Sequence, residues 1–156
     1  MKLTELLAVE DIVDLTATGK PAALSEMVRR LAETRPGLDE EEILRTLLER
    51  EALGGTGTGS GVAIPHCRTD SVSDLLVCFG RSRQGVDFDS LDGKPAHFLF
   101  MLVAPARSAG SHLSVLARIS NLLHRGEVRD LLLLAPDAKS ILGIIAAHEE
   151  RPGAGG

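Results

Sequence analysis

The sequence predicts an α/β sandwich, a sheet with helices on both sides, folded as one domain. Three observations predict it. Apolar residues recur at helical spacing in two stretches before residue 53, short buried-looking apolar runs occupy the middle, and helical patterns return after residue 110.

From Pro21 to Thr34, Leu24, Met27, Val28 and Leu31 recur at helical spacing, and Pro21 suits a first helical turn. Pro36-Gly37 breaks the chain. Asp39 then reads as an N-cap with Glu42 three residues on, opening a helix to about Ala52 that buries Ile43, Leu44, Leu47 and Leu48. The run Gly54-Gly55-Thr56-Gly57-Thr58-Gly59-Ser60-Gly61 is expected to be neither helix nor ordinary strand. Val62-Ala63-Ile64 is a short apolar strand ended by Pro65-His66. Leu75–Phe79 and His97–Val103 read as buried strands, the second a continuous apolar run of the kind covered on both faces, with a turn-rich connection over 84–93. Ser111 is placed as the N-cap of a helix through about His124, with Leu113, Leu116, Ile119, Leu122 and Leu123 inward. Residues 128–135 fit helix or strand equally, and Pro136-Asp137 starts a final helix through Ile141, Ile144 and Ile145. The domain is expected over residues 1–150, with a flexible Gly/Pro-rich tail at 151–156.

Composition narrows the function. With 44% hydrophobic and 25% charged residues the chain is of the folded globular class. Four Phe and no Trp or Tyr leave few rigid aromatic platforms for bases or sugars. A net charge of -5 with no basic run beyond Arg29-Arg30 argues against nucleic acid. Acidic residues interrupt the N-terminus, and no run approaches about 18 uncharged apolar residues, so neither signal peptide nor membrane insertion is expected. Two unclustered cysteines, Cys67 and Cys78, read as free thiols in a reducing cytoplasm.

The glycine-rich run lacks the Lys-Ser or Lys-Thr of a phosphate loop and the spacing of a dinucleotide fingerprint, and it precedes a strand where both motifs follow one. No Gly-x-Ser-x-Gly elbow is present. Zinc held by His66, Cys67 and His112 is disfavoured, because adjacent residues of an extended chain point to opposite faces. His66, directly after a proline at a strand end, carries an imidazole that can form a labile N–P bond. Taken singly, a histidine beside a loop is more often structural. His112 sits in the first turn of a helix, where free N–H groups and the dipole favour an anion, though a surface histidine there needs no role. Arg50, late in the second helix, could clamp a phosphoryl group or simply answer the helix dipole, and Thr56 could donate a hydroxyl or merely turn the loop.

Together these segments resemble a known family. Leu48-Glu49-Arg50-Glu51-Ala52-Leu53-Gly54-Gly55-Thr56-Gly57, followed by Gly61-Val62-Ala63-Ile64-Pro65-His66, is similar to the signature of fructose/mannitol-type enzyme IIA domains of the bacterial phosphotransferase system. Val86–Pro95 and Ser111-His112-Leu113 with Leu116-Ala117 match further family segments, and the Asp-Phe-Asp stretch looks most like the nitrogen-regulatory branch. The resemblance implies a mixed sheet between helices, phosphorylation of His66, and an active centre shared with His112 and Arg50. It departs at Cys67, where the family commonly has Gly or Ala. The donor it implies is an HPr-like phosphocarrier, and the acceptor either regulatory target proteins or a IIB domain, with no metal or other cofactor in the transfer. The expected reaction is in-line attack by His66 Nε2, with Nδ1–H held by a backbone carbonyl and Arg50, His112, Thr56 and loop amides around the phosphoryl group.

Overall fold

The computed structural model describes residues 2–108 and 110–149; the tail expected at 151–156 lies outside them. In chain order it shows α1 (Leu3–Leu6), a 3-10 turn (Val9–Asp11), β1 (Ile12–Asp14), α2 (Lys20–Glu33), α3 (Glu40–Leu53), β2 (Gly57–Gly59) and β3 (Val62–Ala63). There follow β4 (His66–Thr69), β5 (Leu76–Val86), β6 (Ala96–Pro105), α4 (Ser111–His124), α5 (Gly126–Leu134) and α6 (Ala138–Glu149).

The six strands form one sheet in the order β1-β5-β6-β3-β2, with β4 also paired to β6. β3 and β4 lie along the same edge of β6, parallel to it, and Ile64-Pro65 interrupts them. β5 and β6 are antiparallel, while β1 runs parallel to β5, so the sheet is mixed. Side chains of β6 alternate between two cores. Phe98, Phe100 and Leu102 pack with α1, α4, α5 and α6 through residues such as Leu3, Ile119, Leu132 and Ile145. Leu99, Met101 and Val103 pack with α2 and α3 through Leu24, Leu31, Ile43 and Leu47. Helices therefore cover both faces.

Local chemistry accounts for the helix boundaries. Pro21 occupies the first turn of α2, and the Asp39 carboxylate accepts the Glu42 N–H at 3.1 Å as the N-cap of α3. The start of α4 differs from the sequence expectation. Its N-cap is Gly110 in the left-handed region (φ 95°), and the Ser111 hydroxyl lies instead 2.9 Å from that of Ser108. In this phase Val115 takes the core position and Leu113 turns outward, 60% exposed. The ambiguous segment is helical, as α5.

Two strands also depart from expectation. Gly57–Gly59 pairs with Val62 and Ala63 through an irregular register, so part of the glycine run is a strand after all. The hairpin turn holds Gly59, Ser60 and Gly61 at φ 94°, 57° and 80°, and the Ser60 N–H donates to Asp92 Oδ2 at 3.0 Å. β5 continues through Arg81-Ser82-Arg83, because the buried Arg81 finds partners for its charge inside the fold. No helix among the described residues is long and apolar enough to cross a membrane.

Candidate functional site

Strand alternation decides what surrounds His66. Along β4, His66 is half-buried, Cys67 buried, Arg68 exposed and Thr69 buried. Cys67 pairs in register with Val103 and joins the α2/α3 core, whereas His66 pairs with Leu102, a residue of the α4 side. His66 and Arg68 thus share the face toward α4, and the Cys67 thiol points away from it. Burial, reinforced by the charge of Glu42, pushes that thiol up to about 12, so it carries no reactive thiolate near neutrality.

The imidazole orientation follows from one contact. His66 Nδ1 lies 2.7 Å from the Ile64 carbonyl oxygen. A carbonyl only accepts, so Nδ1 must carry a proton, and in the neutral ring it is Nε2 that holds the lone pair. Pro65 between the two residues stiffens the chain that sets this contact.

His112 is half-buried in the first turn of α4, the helix packed on this face of the sheet. Its Nδ1 is 3.1 Å from the Ser108 hydroxyl. Its pKa is held below the ordinary histidine value first by desolvation, then by the positive charges of Arg68 and of His66.

The other expected site residues are committed locally. Arg50 Nη1 donates to the Gly54 carbonyl at 2.7 Å, closing the C-terminus of its own helix, and among the described residues no hydrogen bond or ion pair joins it to either histidine. Thr56 donates its hydroxyl to Glu51 Oε2, and its N–H meets Glu51 Oε1 at 3.1 Å. Glu51 also binds Lys20 Nζ at 3.1 Å in a nearly enclosed ion pair. With its one hydroxyl proton taken, Thr56 presents only lone pairs to other groups.

Sequence reasoning passed over Arg68. The signal was available in the i, i+2 spacing from His66, but only once the segment after Pro65 is known to be a strand. No group of three or more His, Cys, Asp or Glu among the described residues could hold a metal ion.

A half-buried imidazole with a fixed tautomer, next to a second histidine and a free arginine, suits a nucleophile that takes up an anionic group. Comparison with known proteins bears on which group. Residues 5–148 match the family described as phosphoenolpyruvate-dependent sugar phosphotransferase system, EIIA 2. The chain belongs to this family. Among enzyme IIA relatives, it is 37% identical to a nitrogen regulatory protein of Bradyrhizobium diazoefficiens over 94% of this chain and 95% of that one. It is 40% identical to the fructose-specific EIIABC component of Bacillus subtilis over 96% of this chain but 24% of that longer protein. The fold is that of the nitrogen regulatory protein IIA-Ntr of Neisseria meningitidis, with a TM-score of 0.84, 33% identity, and 92% and 98% of the two chains covered. Members of this family serve phosphoryl transfer in the phosphotransferase system.

Proposed function

We propose that this enzyme IIA domain is a cytoplasmic phosphocarrier that accepts a phosphoryl group on His66 Nε2 from the phosphohistidine of an HPr-like carrier. The observation that carries this reading is the 2.7 Å contact from His66 Nδ1 to the Ile64 carbonyl, which makes Nε2 the nucleophilic nitrogen of the neutral ring. The Nε2 lone pair attacks phosphorus in line as the donor's P–N bond breaks, and the bonding pair returns to the donor's imidazole. Neutral His112 donates a hydrogen bond from Nε2 to a phosphoryl oxygen and takes up a proton as negative charge arrives. Arg50, with four N–H donors beyond the one bonded to Gly54, adds positive charge to the site in this reading. Arg50 closes α3, and Thr56 ties the glycine-rich turn to Glu51.

The likeness to nitrogen regulatory proteins along almost their whole length favours a regulatory role, in which the phosphorylation state of His66 controls binding of target proteins. The 40% identity to the fructose-specific EIIABC component favours a second reading, transfer onward to a IIB domain.

Phosphoryl transfer from phosphoenolpyruvate, through purified enzyme I and either sugar-type or nitrogen-type carriers, tests the shared claim. The wild type should acquire an acid-labile, base-stable adduct, and His66→Ala should acquire none. Labelling of His66→Ala at the wild-type rate, or no labelling of the wild type by any carrier, would overturn the reading.

A further inference from the structure

The phosphoryl group that arrives on Nε2 brings about two negative charges to a half-open site. His112 offers one hydrogen bond there, and the only arginine expected from the sequence, Arg50, has a guanidinium N–H turned to its own helix end at Gly54. That bond uses one of the five Arg50 N–H donors, and β4 brings a second permanent cation.

Arg68 stands two residues beyond His66 on the same face of the strand, which puts their Cα atoms roughly 6.5 Å apart. An extended arginine side chain covers a similar distance, so its guanidinium can swing over the Nε2 edge of the imidazole without any backbone movement. The register places Arg68 opposite Ala104, a small residue that leaves the path along the strand open. The Arg68 side chain has no hydrogen bond or ion pair among the described residues, unlike Arg81, Arg35 and Arg45, each of which is bonded to a carboxylate. Its positive charge bears on His112, the second histidine of the site.

We propose that Arg68 is the guanidinium clamp of the phosphoryl group on His66, a further catalytic residue whose planar N–H fork takes two phosphoryl oxygens as the P–N bond forms. The inference rests on the phosphocarrier reading above. Arg68 keeps its proton throughout, and it contributes charge and geometry while the bonds that form and break are those already given. Because it holds the phosphorylated state as well as the transition state, it sets both the transfer rate and the lifetime of the phosphohistidine. Cys67 and Thr69 anchor the strand on its other face, so the clamp moves on a fixed base.

The test compares wild type, Arg68→Gln and Arg68→Lys in single-turnover transfer from the phosphorylated carrier, followed by the hydrolysis rate of isolated phospho-His66 by phosphorus NMR. Arg68→Gln should lower the transfer rate constant about 10–100-fold, the lower part of the range for one preorganised stabilising group. It should also change the phosphohistidine lifetime and leave the melting temperature unaltered, since the side chain is exposed. Arg68→Lys should recover part of the rate, as a point charge without the fork. A wild-type rate constant and lifetime in Arg68→Gln would overturn this inference while the phosphocarrier reading stands. So would an effect confined to carrier affinity, which would make Arg68 a docking contact. A wild type that accepts no phosphoryl group would end both.

Discussion

His112 has its charge state set by its surroundings. Desolvation and the positive charges of Arg68 and His66 hold it below the ordinary value, so at neutral pH it is the uncharged form that faces His66. The sign is clear. A histidine depressed in the folded state binds its proton more readily when unfolded, so it subtracts stability as pH falls from about 6.5 through its own lower value. Phosphorylation of His66 replaces a positive or neutral neighbour with a dianion, which must raise the His112 pKa. NMR titration of the His112 ring should give a midpoint below 6.5 in the free protein and a higher one after phosphorylation. A free-protein midpoint above 6.5 would contradict the geometry. Proline and a helix start mark the two histidines in the sequence, but taken singly neither mark separates a site residue from a structural one, and the resemblance is what joins them. A carbonyl contact at Nδ1 does not by itself single out His66, since His97 and His148 have one too. What distinguishes it is the company of His112 and Arg68, and that depends on which face each strand residue takes.

Glycine content describes the hairpin between α3 and β3 poorly, because its glycines meet different constraints. At Gly57 an added Cβ would lie 2.6 Å from Ser90 Oγ and 3.0 Å from Ser90 Cα, since β2 is pressed against the 88–90 segment. At Gly54 nothing lies within 4 Å, and φ 168° is extended backbone open to any residue. Gly57→Ala should therefore destabilise the protein by about 1–3 kcal/mol, as overpacking does. Gly54→Ala should stay within about 0.5 kcal/mol of wild type. Urea denaturation of both variants checks this, and equal effects would mean that the hairpin does not pack as described. The same close contact explains why β2 escaped sequence reading. Glycine has low strand propensity, and the pairing that overrides it comes from Ala63 and from the 88–90 loop, distant in sequence. β1 escaped because three residues carry too little periodicity, and the length of β5 because charges inside a strand look like a turn. The long helices and the apolar core of β6 were legible, since their patterns repeat over enough residues to be unambiguous.

Across the whole molecule, the sheet keeps chemistry and stability at opposite ends. His66 and Arg68 pair with the last residues of β6, at Leu102 and Ala104, whereas Arg81 of β5 pairs with Phe98 near its beginning. Arg81 is fully buried and joins β1, β5 and α5: it binds Asp14 at 2.8 Å and the Leu132 carbonyl at 3.0 Å, and it also donates to the carbonyl of Ala135. The need for it lies in Pro136, which has no N–H to give the Leu132 carbonyl four residues back, so a side chain must close the helix. Asp14 is 60% exposed and would stay solvated without its partner. The loss in Arg81→Met should come from the helix carbonyls, of which Ala135 keeps a bond from Arg83 while Leu132 is left bare. We expect a cost of about 2–3 kcal/mol, the scale of an orphaned buried acceptor, and well under 1 kcal/mol for Asp14→Asn, which breaks only a half-solvated ion pair. Phosphoryl transfer per folded molecule should be unchanged in both, because neither residue touches the His66 end. Chemical denaturation monitored together with single-turnover transfer separates the two quantities. An Arg81→Met protein as stable as wild type would mean that α5 is closed by water, and that this arginine is not what joins the far edge of the sheet to its helical cover.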